Sequence, residues 1–192
     1  MLKIAITPAD CADPHKEAAL VCAIISGGWD RVHLRHPYAS RDEMGRLIEA
    51  IPEEMHPWLV IHDHFRLIED FNLGGLHLNR RSPSPPDGYS GPISRSCHSL
   101  EEAESAAGMT YLTLSPIFDS ISKSGYASAF TEEELSRIAD IPARVIALGG
   151  VTPERIDLLR RYRFSGFAML GALPWGGEPD EMSRFVKQLN TI

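Results

Sequence analysis

Short runs rich in apolar and β-branched residues alternate along this chain with segments in which apolar residues recur at helical spacing. We predict a β-strand from each short run and an amphipathic helix from each longer segment. The alternation indicates parallel strands joined by right-handed crossovers. The predicted strands are Lys3–Thr7, Arg31–Arg35, Trp58–His62, Gly75–Leu78, Pro92–Ser96, Tyr111–Leu114, Arg144–Leu148 and Gly166–Leu170. The predicted helices are His15–Ser26, Arg41–Ala50, Leu100–Ala107, Thr131–Ala139, Pro153–Tyr162 and Pro179–Leu189.

This order of elements favours an α/β fold, a (β/α)₈ TIM barrel that forms a single compact domain over residues 1–192. Eight βα units in 192 residues leave about 24 residues each, close to the minimum for this architecture. The segment between Leu78 and Pro92 is polar and rich in proline, so we expect a shortened fourth unit with a loop in place of its helix. A doubly wound open sheet is the alternative, but no G-x-G-x-x-G follows the first strand.

Two helix starts have local signals. Ser99 precedes Leu100 and two glutamates in the arrangement of a capping box, and Thr152 precedes Pro153, a residue type common at the first helical position. We therefore expect helices to begin at Leu100 and at Pro153.

Charge and composition exclude two classes of partner. The net charge is −7, and no run of Lys and Arg is dense enough to follow a nucleic acid or an anionic membrane. The first ten residues are too poor in apolar side chains for a signal peptide, and no later stretch is long and apolar enough to span a bilayer. Three cysteines without C-x-x-C spacing predict reduced thiols. We expect a cytoplasmic protein.

Loops that follow the strands build the active site of a TIM barrel, which makes strand ends the candidates for chemistry. Gly149 and Gly150 after the seventh strand permit close backbone approach, and a helix beginning at Pro153 would direct free N–H groups at a phosphate. Leu170 and Gly171 end the eighth strand, and the loops after strands seven and eight commonly form the phosphate site of such barrels.

The loop after the sixth strand, residues 115–126, is rich in hydroxyls and contains one lysine, Lys123. Hydroxyls such as those of Ser120 and Ser122 donate to phosphate oxygens, and an ammonium neutralises their charge. A loop of this length is typical of a functional segment, although a solvated lid with an incidental lysine is the alternative.

Two other strands end in polar residues that suit an anion. Arg35 ends the second strand, and a guanidinium there favours either an anionic ligand or a neighbouring carboxylate. Ser96 and His98 lie at the end of the fifth strand, where either side chain can face the barrel mouth.

Histidines surround the ends of the second and third strands. His62 and His64 share one face of the third strand and are candidates for a metal site, whereas Asp63 between them lies at the rim as a functional carboxylate. Because an imidazole titrates near neutral pH, His33 and His62 are also candidates for a proton shuttle.

These strand ends, taken in order, resemble the thiamine phosphate synthase and thiazole tautomerase (TenI) family, and the likeness runs over nearly the whole chain. The resemblance implies a TIM barrel that acts on small phosphorylated thiazole and pyrimidine substrates. A synthase joins hydroxymethylpyrimidine diphosphate to thiazole phosphate with Mg²⁺ assistance and releases pyrophosphate, whereas the tautomerase branch isomerises the thiazole carboxylate phosphate. The matching stretches are 32–35, 60–63, 75–78, 94–103, 118–125, 146–153 and 166–173.

The resemblance also implies roles for individual residues. Arg35 takes the position of the arginine in Q-x-R-x-K, which contacts pyrophosphate. Asp63 takes that of the aspartate in an N-D pair, a magnesium ligand, and Ser96 that of the serine in G-x-S-x-H-S. The residues implied to surround the thiazole, its phosphate and the pyrophosphate are Ser120, Ser122, Lys123, Gly150, Leu170 and Gly171.

The chain departs from the family pattern at five positions. His33 replaces the glutamine, Pro37 the lysine and His62 the asparagine, while Ser82 stands where a second magnesium-binding aspartate is expected. Pro116 stands where the tautomerase branch carries its proton-transferring histidine.

Three hypotheses therefore stay open. The first is a synthase in which Arg35 and Lys123 hold the diphosphate and Asp63 places Mg²⁺. The second is a TenI-like isomerase with His33 or His62 as the proton shuttle, and the third is a non-catalytic binder of thiazole phosphate or thiamine phosphate. The sequence also leaves open whether the chain forms a homo-oligomer.

Overall fold

A computed structural model describes residues 1–10, 13–119 and 130–190, and its eight parallel strands close into a barrel in chain order. The sheet closes where β8 pairs with β1, with Ala168 opposite Ile4. The predicted TIM barrel is confirmed, and the open doubly wound sheet is excluded. The strands are β1 (Leu2–Ile6), β2 (Arg31–Leu34), β3 (Leu59–Ile61), β4 (Gly75–Leu78), β5 (Ile93–Cys97), β6 (Tyr111–Leu114), β7 (Val145–Ala147) and β8 (Gly166–Met169).

Helices of unequal length follow most of the strands. The fourth crossover, residues 79–92, contains no helix, as its prolines predict. No helix in the described part of the chain is long and apolar enough to cross a membrane. The helices are α1 (Pro14–Ser26), α2 (Arg41–Glu49), α3 (Leu100–Ser105), α4 (Glu132–Ser136), α5 (Ile156–Arg161) and α6 (Pro179–Gln188). Short 3₁₀ turns are Glu53–Trp58, Phe65–Glu69, Arg137–Asp140 and Pro153–Arg155.

Both predicted helix starts are confirmed. The Ser99 hydroxyl accepts a hydrogen bond from the N–H of Glu102 at 3.2 Å, so that α3 begins at Leu100 as expected. Helical structure also begins at Pro153 with Thr152 at the N-cap, but its first turn is a tighter 3₁₀ turn, because the Arg155 N–H donates to the Thr152 carbonyl. The α-helix begins only at Ile156.

Apolar side chains fill one side of the barrel interior. Ile4 and Ile6 of β1, Ile146 of β7 and Ala168 of β8 are buried together in a cluster with Tyr111 of β6. A second and larger apolar layer lies between the strands and the helices around them.

Polar side chains fill the other side of the interior. His33 of β2 is fully buried, and its Nε2 lies 2.6 Å from the Tyr111 hydroxyl of β6. Since β2 and β6 are not neighbours, this hydrogen bond crosses the barrel. His77 of β4 and Ser94 of β5 are also buried and bond to each other at 2.8 Å. The interior is therefore divided into an apolar half and a hydrogen-bonded polar half.

Candidate active site

A pocket of about 560 Å³ opens at the carboxyl ends of the strands. The loops after β1, β2, β5, β6, β7 and β8 contribute its lining. The pocket brings together five of the residues that the sequence predicts for the site: Arg35, Gly149, Gly150, Leu170 and Gly171.

The Gly149–Gly150 turn packs tightly against the loop that follows β6. Gly149 and Gly150 have φ angles of +90° and +62°, which favour glycine. A Cβ at Gly149 would lie 2.8 Å from the Cα of Pro116, and one at Gly150 would lie 2.2 Å from the Asp119 carbonyl oxygen. Both glycines are therefore required by the fold, and they also keep the pocket wall free of side chains.

Arg155 holds this turn in place, a role that the sequence did not indicate. Its Nη1 donates to the Gly150 carbonyl at 2.7 Å, and its guanidinium carbon lies 4.8 Å from the centre of the Phe118 ring. Arg155, the last residue of the 3₁₀ turn, thus contacts both the loop after β6 and the loop after β7.

The end of β2 rests on a buried polar group. The Thr7 hydroxyl accepts from the Arg35 N–H at 2.9 Å and lies 3.2 Å from the His36 Nε2. The same Nε2 bonds the Glu17 carboxylate at 2.7 Å, and all three of these side chains are buried. This network fixes the backbone of Arg35, whose own side chain is half-buried on the pocket wall.

His98 lies on the same pocket and is exposed. Its Nδ1 is 3.0 Å from the Ser115 carbonyl oxygen, a contact that requires Nδ1 to carry the proton when the ring is neutral. The predicted residues Ser120, Ser122 and Lys123 lie outside the described residues.

Asp63 does not line this pocket, because a neighbouring arginine engages it. Arg81 of the fourth crossover donates from Nη2 to one carboxylate oxygen at 2.9 Å and from Nε to the other at 3.3 Å. The Ser82 hydroxyl donates to the carboxylate at 3.0 Å. The resemblance implies that Asp63 is a magnesium ligand, whereas the shortened loop supplies Arg81 and Ser82 as its partners.

Asn79 shapes this loop and is a second residue that the sequence did not indicate. Its Oδ1 accepts from the N–H groups of Arg81 and Ser82 at 2.9 and 3.3 Å, and its Nδ2 donates to the His62 carbonyl at 2.6 Å. The loop is thereby tied to the end of β3, where Asp63 follows.

The residues around Asp63 do not fit magnesium in this arrangement. Mg²⁺ takes six oxygen ligands in near-octahedral geometry, usually with one or two carboxylates. Both oxygens of Asp63 are engaged by Arg81 and Ser82, and Ser82 occupies the position of the second expected aspartate. A guanidinium therefore neutralises this carboxylate.

His33, His62 and His77 form a buried cluster beneath the mouth. The Nδ1 of His33 lies 2.9 Å from the Nε2 of His62. His77 is bonded through Nδ1 to Ser94 and through Nε2 to Ser96, each at 2.8 Å. The structure thus brings Ser96 to the histidine cluster and not to the pocket lining.

Burial keeps these imidazoles neutral. Loss of solvent, and then the neighbouring His77, holds the pKa of both His33 and His62 well below the ordinary value. Burial lowers the pKa of His77 to about 3, and burial raises the pKa of Tyr111 to about 12. Because burial lowers the pKa of His33 and His62, both imidazoles are poorly matched to proton transfer at neutral pH.

The candidate pairing of His62 with His64 on one metal is not formed. His64 has a positive φ of +53° and its Nε2 bonds the Ala39 carbonyl at 2.8 Å, whereas His62 bonds His33. The residues after β3 have left the strand, so that strand alternation no longer applies to them.

Comparison with known proteins agrees with this architecture. A sequence model described as thiamine monophosphate synthase (TMP-TENI) matches residues 4–173. A thiamine-phosphate synthase of Chlorobium phaeobacteroides is 25% identical over 195 residues, covering 96% of this chain and 93% of that protein. One from Syntrophomonas wolfei is 26% identical over 176 residues, covering 86% and 84%.

A solved structure is similar over the full length. The thiamine phosphate pyrophosphorylase of Bacteroides thetaiotaomicron superposes with a TM-score of 0.87 and 33% sequence identity, covering 100% of this chain and 96% of that one. Thiamine-phosphate synthases generally use Mg²⁺. From its fold, its strand-end pocket and these similarities, the chain belongs to the thiamine monophosphate synthase (TMP-TENI) family.

Proposed function

We propose that this chain joins hydroxymethylpyrimidine diphosphate to thiazole phosphate, giving thiamine phosphate and pyrophosphate. The observation that carries the proposal is the pocket at the strand ends that is lined by Arg35 and by two glycine-containing turns. The names of its relatives, thiamine-phosphate synthases and a thiamine phosphate pyrophosphorylase, support the same reaction.

The thiazole phosphate binds against the turns after β7 and β8. Gly149, Gly150 and Gly171 leave backbone N–H groups accessible to an anion, and Leu170 supplies an apolar surface for the thiazole ring. In this proposal Ser120 and Ser122 of the loop after β6 complete the site with two hydroxyls.

The diphosphate binds at Arg35 on the pocket wall, with Lys123 as the second cation in this proposal. The bond between the pyrimidine methylene carbon and the diphosphate oxygen breaks, the diphosphate takes the electron pair, and the thiazole nitrogen forms the new bond to carbon. Cations stabilise the charge that develops on the leaving group. Asp63 and Ser96 are positioning residues in this proposal. Asp63 orients Arg81 through their ion pair, and Ser96 orients His77 through their hydrogen bond.

The test is formation of thiamine phosphate from the two substrates by the purified chain, measured by chromatography with Mg²⁺ and with a chelator. We predict that Arg35→Gln lowers kcat/KM about a hundredfold, because it removes a charged donor from the leaving group. Arg184→Gln, an exposed arginine on α6, is the matched control and retains parental activity. No product above background with the parent protein would exclude the synthase.

A TenI-like isomerase is the second candidate, and His98 is the observation that favours it. This exposed imidazole lies on the pocket and is oriented by Ser115, which suits proton transfer better than the buried His33 or His62. NMR of the thiazole carboxylate phosphate gives the isomer ratio directly, and an unchanged ratio in the presence of the protein excludes this reaction.

Binding without turnover is the remaining outcome of these assays. Calorimetry with thiazole phosphate and thiamine phosphate distinguishes a non-catalytic binder from a chain that does not recognise these compounds. Because the proposed substrates are phosphorylated intermediates of biosynthesis, we also propose that the protein works in the cytoplasm.

A further inference from the structure

We propose that His33, His62 and His77 form a binding site for a divalent transition-metal ion such as Zn²⁺ inside the barrel. The three residues lie on, or directly after, the adjacent strands β2, β3 and β4. This site is separate from the mouth pocket, since none of the three lines that pocket.

The distances within the cluster suit a single ion. One nitrogen from each ring lies within 4.8 Å of one nitrogen from each of the others. Zn–N bonds of about 2.0–2.1 Å in a tetrahedral site place ring centres about 5 Å apart. The observed separations are 5.1 Å for His33 and His62, 4.9 Å for His33 and His77, and 4.3 Å for His62 and His77.

Outer hydrogen bonds orient two of the rings, as in established zinc sites. Tyr111 bonds the Nε2 of His33 at 2.6 Å, which leaves the Nδ1 of that ring directed at His62. Ser94 and Ser96 bond the two nitrogens of His77 at 2.8 Å each. When the metal binds, one ring nitrogen of His77 coordinates the ion in place of its serine. The other ring nitrogen keeps its hydrogen bond to the second serine, which orients the ring.

The donor set selects the class of ion. Imidazole nitrogens suit zinc, copper, iron and nickel, whereas magnesium and calcium require oxygen ligands. Three protein ligands leave a fourth position for water, as catalytic zinc sites do. The buried Thr113 hydroxyl has no hydrogen-bond partner among the described residues, and Thr113 pairs with Ser96 across β5 and β6. In the proposed site, a water in the fourth position would be a candidate partner for this hydroxyl.

Two of the three ligands are departures from the family pattern. His33 and His62 stand where the resemblance has glutamine and asparagine. His33→Gln and His62→Asn therefore restore residue types that this fold accepts, and they remove one ligand each. Metal binding is measured without the synthase substrates, so failure of the metal site and failure of the proposed synthase reaction are distinguishable.

Metal binding is tested on tag-free, chelator-treated protein by titration with Co²⁺, whose visible absorption reports tetrahedral coordination, followed by competition with Zn²⁺. We expect one equivalent to bind and the affinity to fall about a hundredfold or more in His33→Gln and in His62→Asn. His15→Gln, which removes an exposed histidine on α1, is the matched control and binds like the parent.

Two results would overturn the proposal. Absence of the cobalt absorption at saturating Co²⁺ excludes the site. Binding that persists at parental affinity in both variants places the metal elsewhere. A zinc-dependent rise in Tm that is seen in the parent and lost in both variants supports the site by a second readout.

Discussion

At the scale of single residues, the two histidines that depart from the expected family pattern, His33 and His62, lie in the interior of the barrel. His33 and His62 are buried with His77 in a network that bonds strands across the barrel. The sequence placed His33 and His62 near the ends of their strands as candidates for a proton shuttle, and His62 with His64 as candidates for a metal site. It did not indicate the contact with Tyr111, because that contact joins strands that are neither sequential nor adjacent.

The neutral imidazoles predict a pH-dependent stability. The three histidines titrate near pH 6.5 when unfolded, whereas burial lowers the pKa of His77 to about 3 and holds the pKa of His33 and His62 well below its ordinary value. Below pH 6.5 the unfolded chain binds protons that the folded chain does not. This part of the stability is therefore present above pH 6.5 and is lost as the pH falls.

For His77 alone this loss is about 2 kcal/mol between pH 7 and pH 5. Urea unfolding in the presence of a chelator measures the effect at both pH values. We predict that the parent loses more free energy of unfolding between pH 7 and pH 5 than the double variant His33→Gln/His62→Asn. Of the three buried histidines, this variant keeps only His77. Equal losses in the two proteins would contradict the burial of neutral imidazoles.

The glycine turn after β7 gives a second prediction at this scale. Gly150→Ala places a Cβ 2.2 Å from the Asp119 carbonyl oxygen at a φ of +62°. We predict a loss of about 2 kcal/mol or more in the free energy of unfolding, together with weaker binding of thiazole phosphate. Gly176→Ala, whose Cβ meets nothing within 4 Å, is the control and should change neither quantity appreciably.

At the scale of elements, the fourth crossover determines which groups contact Asp63. The sequence predicted a loop there from its prolines, and the structure adds that Asn79 folds this loop back onto the end of β3. Arg81 and Ser82 consequently reach Asp63. This arrangement was not predictable from periodicity, because it depends on side-chain to backbone bonds within an irregular segment.

The ion pair between Asp63 and Arg81 predicts weak binding of Mg²⁺ to the parent protein. Replacing the guanidinium and restoring the expected aspartate, in the double variant Arg81→Gln/Ser82→Asp, should raise the affinity for Mg²⁺ about tenfold or more. Arg184→Gln/Ser82→Asp is the matched control, since Arg81 remains to neutralise the carboxylates. Calorimetry measures the affinities, and parental Mg²⁺ binding as tight as that of the double variant would contradict this interpretation.

At the scale of the whole molecule, the alternation of strands and helices was enough to predict the barrel. Each predicted strand overlaps an observed one, because short β-branched runs and helical spacing are local signals. The sequence was less able to predict which strand ends line the same pocket. Arg35 lines the same pocket as the turns after β7 and β8, while Asp63 and Ser96 do not line that pocket. That division depends on the direction of side chains after closure, which strand order alone does not give.

The central claim is that the mouth pocket binds a phosphorylated thiazole between Arg35 and the turns after β7 and β8. A crystal structure of the chain with thiamine phosphate and pyrophosphate tests it most directly. We expect the phosphate of thiamine phosphate to lie against the backbone N–H groups of Gly150 and Gly171, with pyrophosphate at the guanidinium of Arg35. Ligand density elsewhere on the barrel, or an empty pocket at saturating ligand, would contradict it.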